Sequence, residues 1–97
     1  MKIDLGKFGE ILVSRPAGRD AFLTLEAYQL RDLPIDEIVE VDFSVVKVLT
    51  PSWADEVVTP LAGRYKNTRL LNTTNASVKA TLQTLKKYSA LSNTLSF

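Results

Sequence analysis

The chain has 97 residues, 45% of them hydrophobic and 24% charged, with a formal net charge of +1. This is the profile of one globular domain able to bury roughly two thirds of its unfolded surface and so to fold without disulfides or metal. It contains no cysteine and no histidine, which excludes thiol nucleophiles, zinc sites of the usual kind and the commonest general base at neutral pH.

The opening MKIDLGKFGEILVS lacks an apolar block of secretion-signal length, and no stretch approaches the roughly 20 apolar residues that span a bilayer, so the expected location is cytoplasmic and off the membrane. Lys2 to Leu5 alternates weakly and Glu10 to Val13 is apolar; with the glycine-bounded turn Gly6-Lys7-Phe8-Gly9 between them, the pattern predicts an opening hairpin. Ser14 or Arg15 then bounds a helix. Pro16 suits its first turn, because the missing N–H would be unpaired there in any case. Ala21, Phe22, Leu25 and Tyr28 share one face, and the helix should end between Gln29 and Leu33, before Pro34.

Glu37 to Phe43 alternates Ile38, Val39, Val41 and Phe43 with acids and reads as a central strand, which Val46 to Leu49 extends or repeats. A second helix starts at Thr50 or Pro51 with Trp53, Ala54, Val57, Val58 and Leu61 on its apolar stripe. Pro60 cannot donate to the carbonyl of Glu56, which predicts a kink or an early stop near Thr59, with Gly63 ending what remains. Arg69 to Thr73 reads as a further strand. Asn75 caps a third helix that buries Val78, Leu82 and Leu85 and exposes Lys79, Lys86 and Lys87. The tail from Ser89 to Phe97 carries Leu91, Leu95 and Phe97 and is expected to be a flexible or partner-binding extension.

This order predicts an α/β fold: one small domain over residues 1–97, with a mixed β-sheet of about four strands and helices packed on one face. Neither GxGxxG nor GxxxxGK[ST] occurs, so no phosphate loop is present. All eleven acidic residues lie at or before Glu56, and only cations follow: Arg64, Lys66, Arg69, Lys79, Lys86 and Lys87. These cations are spread over a turn, a strand and a helix with no aromatic stacking pair, which argues for neutralisation across the fold rather than for nucleic-acid binding.

Groups capable of recognition gather in one run, VDFSVVKVLTPSWADEVV, from Val41 to Val58. Asp42-Phe43-Ser44, then Val46 and Leu49, then Thr50-Pro51-Ser52 opening a helix, resembles the strand-to-helix segment of STAS domains (sulfate transporter and anti-sigma factor antagonist). SRPAGR at Ser14 to Arg19 and SWADE at Ser52 to Glu56 are more similar to a STAS-like family of unknown function. The resemblance spans roughly Gly6 to Asn72. It implies a STAS-like fold and places Ser52 where antagonists carry a serine phosphorylated by a partner kinase. The pattern departs at three places: Thr50 replaces an acidic residue, Pro51 a serine, and Trp53 the glycine that leaves the serine open. Trp53 therefore lies over the turn or is buried.

Ser52 also has a purely structural reading, in which its oxygen caps the helix by accepting the N–H of Asp55. Phosphorylation would be favoured by the helix dipole and opposed by Asp55 and Glu56, so that within the element the two nearly cancel. Asp42 with Asp55 and Glu56 offers, in principle, acid–base or divalent-metal chemistry, although such carboxylates more often bind loop amides. Arg15 and Arg19 either clamp an anion, stay solvated, or pair with Asp20 and Glu40. Trp53, Tyr65 and Phe97 are either partner anchors or core.

The expected function is a non-enzymatic regulatory module without cofactor or metal. It would dock a serine kinase or anti-sigma factor of the ATPase-kinase type through Thr50, Pro51, Ser52, Trp53, Asp55 and Glu56. The alternative is a structural accessory subunit that associates through its tail.

Overall fold

The computed structural model describes residues 1–88, so the expectation for Ser89–Phe97 lies outside the described residues. Five strands and three helices follow in the order β1 (Lys2–Asp4), β2 (Ile11–Leu12), α1 (Arg15–Tyr28), β3 (Ile38–Asp42), β4 (Val48–Leu49), α2 (Pro51–Arg64), β5 (Asn67–Leu71) and α3 (Ala76–Tyr88). The α/β class is as the sequence predicts. The opening hairpin is not formed. Between β1 and β2 the chain makes a 3₁₀ turn, Leu5–Phe8, capped by Asp4, whose carboxylate accepts the Gly6 N–H at 2.8 Å. A 3₁₀ turn brings residues three apart onto one side, whereas a strand would point them to opposite faces. Leu5 and Phe8 thus both pack on the core, Leu5 fully buried.

Because that turn does not reverse the chain, β1 and β2 enter different sheets. β1 pairs parallel with β3, and β3 with β5; β2 pairs parallel with β4. The expected single mixed sheet is thus an all-parallel β1-β3-β5 sheet with a separate β2-β4 ribbon. In register, Ile3 lies beside Val41 and Val41 beside Leu70. These residues, with Val39 and Thr68, form the covered face, while Lys2, Ile38 and Arg69 face solvent. Crossovers that step the same way along a sheet, both of the usual right hand, deliver their helices to one face. Accordingly α1 packs on α2, and α2 on α3. The core of Val39, Val41, Phe43, Trp53, Val57, Val58, Leu61 and Leu82 lies between them.

Ser14 caps α1 by accepting the Ala17 N–H at 3.1 Å, and Pro16 sits in the first turn. The helix ends at Tyr28, which is 84% exposed and does not belong to the buried face that Ala21 and Leu25 form. Of the two outcomes expected at Pro60, the early stop is corrected: α2 continues through Pro60 and ends at Arg64, one residue past Gly63. An interior proline costs about 3 kcal/mol. Burial of Val57, Val58, Leu61 and Ala62 around it offsets that cost, at roughly 1.5 to 3 kcal/mol for each large side chain. Among the described residues no helix is long and apolar enough to cross a membrane.

Candidate functional site

The corner at the start of α2 is built from β4, β2 and the first turn of α1. Its cap is Thr50, not Ser52: the Thr50 side chain accepts the Trp53 N–H at 3.5 Å and donates to the Val13 carbonyl at 2.7 Å, while the Thr50 N–H donates to the Leu12 carbonyl. One residue thus closes the helix and joins it to the ribbon. Pro51 then fills the first helical position, which displaces Ser52 into the helix itself and takes the capping role from it. On the other side of β4, Ser77 and Thr81 of α3, one helical turn apart, bond the Leu49 main chain: Ser77 Oγ accepts the Leu49 N–H at 3.0 Å, and Thr81 Oγ1 donates to its carbonyl at 2.6 Å.

The two motifs SRPAGR and SWADE meet face to face. Arg15 Nη1 donates to Asp55 Oδ2 at 3.1 Å and to Glu56 Oε1 at 3.2 Å, rather than pairing with Asp20 or Glu40. Those bonds, Asp55 first, hold the Arg15 proton more firmly than in a free guanidinium. Gly18 lies against the Trp53 main chain, where an added Cβ would come within 2.7 Å of the Trp53 carbonyl oxygen. The Trp53 ring is 1% exposed and tilted 55° against Phe8 at 6.1 Å between centroids. The indole is therefore core, as is Tyr65, and neither presents an anchor to solvent in this conformation.

Of the six residues singled out at the corner, four are engaged internally: Thr50 as cap, Trp53 in the core, and Asp55 and Glu56 on Arg15. Asp55 also accepts the Thr59 hydroxyl at 2.9 Å. Pro51 is exposed and Ser52 half-buried, and the Ser52 hydroxyl makes no hydrogen bond among the described residues. Beside them lies a feature the sequence reading passed over. Ile11 and Val48 are register partners in the ribbon and are 64% and 39% exposed, and Val13 follows at 47%. Their alternation with buried Leu12 and Leu49 was the available signal, but it marks a two-faced ribbon only once β2 and β4 are known to pair.

Asp42 stands apart from this corner. Its carboxylate accepts the Asn72 amide at 2.7 Å, the Ser44 N–H at 3.0 Å and the Ser44 hydroxyl at 3.1 Å, with Lys2 Nζ at 3.6 Å. The Asn72 bond chiefly holds its pKa below the usual carboxylate value, against the opposing effect of burial. Among the described residues no group of three acidic side chains could hold a metal, so the cluster of Asp42, Asp55 and Glu56 is not formed. Next to Ser44 and Asn72 lies an open depression of about 520 Å³ that also meets Lys47 and Asn75. Among the described residues the strand order β1-β3-β5 never reverses, so over them the main sheet has no switch-point crevice of the kind where open α/β sheets hold nucleotides. Arg64 joins the acidic and basic halves by an ion pair to Glu26 at 2.7 Å and lies over the Phe22 ring at 5.5 Å.

A family model described as a STAS-like domain of unknown function matches residues 26–80, from the last turns of α1 into α3, and includes the SWADE segment. No curated protein and no solved structure matches the chain.

Proposed function

The chain belongs to the STAS-like family of unknown function, and from that premise we propose that it is a non-enzymatic regulatory module that docks a protein partner at the α2 corner and is switched by phosphorylation of Ser52. The observation that carries this reading is the contrast within the corner. Thr50, Trp53, Asp55 and Glu56 are engaged in holding the fold together, while half-buried Ser52 has a hydroxyl with no hydrogen bond among the described residues, beside exposed Pro51. The apolar surface of Ile11, Val13 and Val48 next to it gives a partner something to bury. The partner proposed is a serine kinase or anti-sigma factor of the ATPase-kinase type, a reading supported by the resemblance of this segment to anti-sigma factor antagonists. Phosphorylation would form a bond from Ser52 Oγ to the γ-phosphorus of a nucleoside triphosphate, release the diphosphate and leave the serine proton to solvent or a kinase base.

The test is co-purification from the native host with phosphate mapping by mass spectrometry. A kinase-like partner whose retention is lost in Ser52→Asp and kept in Ser52→Ala supports the reading. An unmodified Ser52 together with a silent Ser52→Asp overturns it. The exposed ribbon also favours a second reading, an accessory subunit that associates without any switch. There, Ile11→Glu or Val48→Glu would abolish association while Ser52→Asp left it intact.

A further inference from the structure

The latch between α1 and α2 bears on what a phosphate at Ser52 would meet. Ser52, Asp55 and Glu56 stand at positions i, i+3 and i+4 of one helix, a spacing that places them on a common face about 5–6 Å apart. Arg15 reaches onto that face from α1 and holds both carboxylates. It does so with a single nitrogen: both bonds leave from Nη1, and its other donors make no bond among the described residues. The guanidinium side chain is 51% exposed and so has room to turn.

We infer that Arg15 is the counter-cation for phosphorylated Ser52, turning the free edge of its guanidinium onto the phosphate and so tying the modification state of α2 to the first turn of α1. This rests on the phospho-switch reading and deepens it. A phosphate adds about −1.5 to −2 charges and three strong acceptors, and a planar guanidinium binds phosphate through two parallel N–H bonds more strongly than it bridges two carboxylates through one nitrogen. Asp55 retains the Thr59 hydroxyl when Arg15 turns. Glu56 has no other partner among the described residues, so the change is felt at the contact between the two helices. The charged groups whose bonds place them on that face are Arg15 from α1 and Asp55 and Glu56 from α2 itself; Arg19, one turn further along α1, is exposed and makes no hydrogen bond or ion pair among the described residues. Without Arg15, the Asp55 and Glu56 carboxylates next to the phosphate lose the cation that now holds them.

The sign is measurable on the full chain with phosphoserine installed at position 52 during synthesis, which needs no host kinase. The second ionisation of the phosphate is followed by ³¹P NMR titration in three backgrounds: the native sequence, Arg15→Gln and Arg15→Lys. A nearby cation lowers an acid's pKa and nearby carboxylates raise it. The expected ionisation lies about one unit lower in the native sequence than in Arg15→Gln, with Arg15→Lys between them because it keeps the charge but not the fork. Equal ionisation in native and Arg15→Gln, with both folded by circular dichroism, overturns the inference. If Arg15→Gln does not fold, the native–lysine comparison decides alone, and equality there overturns it. An unmodified Ser52 in the host together with a silent Ser52→Asp would sink the phospho-switch reading and leave this titration unchanged, so the two failures are distinguishable.

Discussion

Replacing Gly18 by alanine tests whether the contact between the two helix starts holds the domain together. A Cβ at Gly18 would sit 2.7 Å from the Trp53 carbonyl oxygen, 3.0 Å from its Cα and 3.2 Å from Glu56 Cβ, where ordinary contact begins at 3.4 Å. The shortfall against the carbonyl is about 0.7 Å, and the obstacle is the main chain of a buried helix, which cannot turn aside as a flexible side chain can. Overpacking of this kind costs typically 1 to 3 kcal/mol, while alanine in place of helical glycine returns about 0.5 to 1 kcal/mol. The expected net loss is centred on about 1 kcal/mol and reaches at most about 2.5 kcal/mol. Gly63 is the internal control: it too lies in a helix, but a Cβ there meets nothing within 4 Å. Gly63→Ala should stabilise by about 0.5 kcal/mol, toward the low end because it stands in the last turn. Urea unfolding is readable from the fluorescence of the single tryptophan, Trp53, with far-UV circular dichroism as an independent probe. In a domain of this size 1 kcal/mol moves the melting temperature by about 4 to 8 °C. A Gly18→Ala protein as stable as Gly63→Ala would refute the close-packing argument.

Thr50→Val removes a cap and a donor to Val13 and should cost about 1 to 2 kcal/mol, whereas Ser52→Ala should change stability by less than about 0.5 kcal/mol; the reverse order in denaturant titrations would restore the cap to Ser52. Asp42 has a folded-state pKa below its ordinary 3.8, so its ionised form stabilises the fold above that value, and the contribution is lost as pH falls through the folded pKa. Asp42→Asn should therefore destabilise by about 1 to 3 kcal/mol at pH 7 and by progressively less below pH 4, and a pH-independent difference would refute the assignment. Pro60→Ala restores an N–H to the interior of α2 and should stabilise by about 1 kcal/mol, after allowing for a more flexible unfolded chain. A loss of stability on melting would show instead that the ring's packing outweighs the missing bond.

The elements that local chemistry could specify were legible in the chain. Ser14 with Pro16, and Asn75 before its apolar stripe, announced their helices because a cap and a stripe are properties of adjacent residues. The strand over Ile38–Asp42 was equally plain in its β-branched alternation. The errors came where a distant contact decided. Gly6 to Gly9 looked like a hairpin turn until Leu5 and Phe8 both found the core, and Pro60 looked like a stop until the packing of its neighbours carried α2 past it. At the corner, Thr50 and Ser52 are both capping residues, and in isolation Ser52 is the better one. Thr50 became the cap because the Leu12 carbonyl of β2 and the Val13 carbonyl just after it lie within its reach.

By itself, then, the sequence determined the α/β class, the placement of the helices and the strand-to-helix corner that carries Ser52, because each follows from periodicity, caps and turn residues a few positions apart. Only the tertiary structure decided that Arg15 and Gly18 belong to the same unit as Trp53, Asp55 and Glu56, some 40 positions along the chain. The physical reason is that a glycine's empty side and a guanidinium's spare donors acquire meaning only from what the fold places against them.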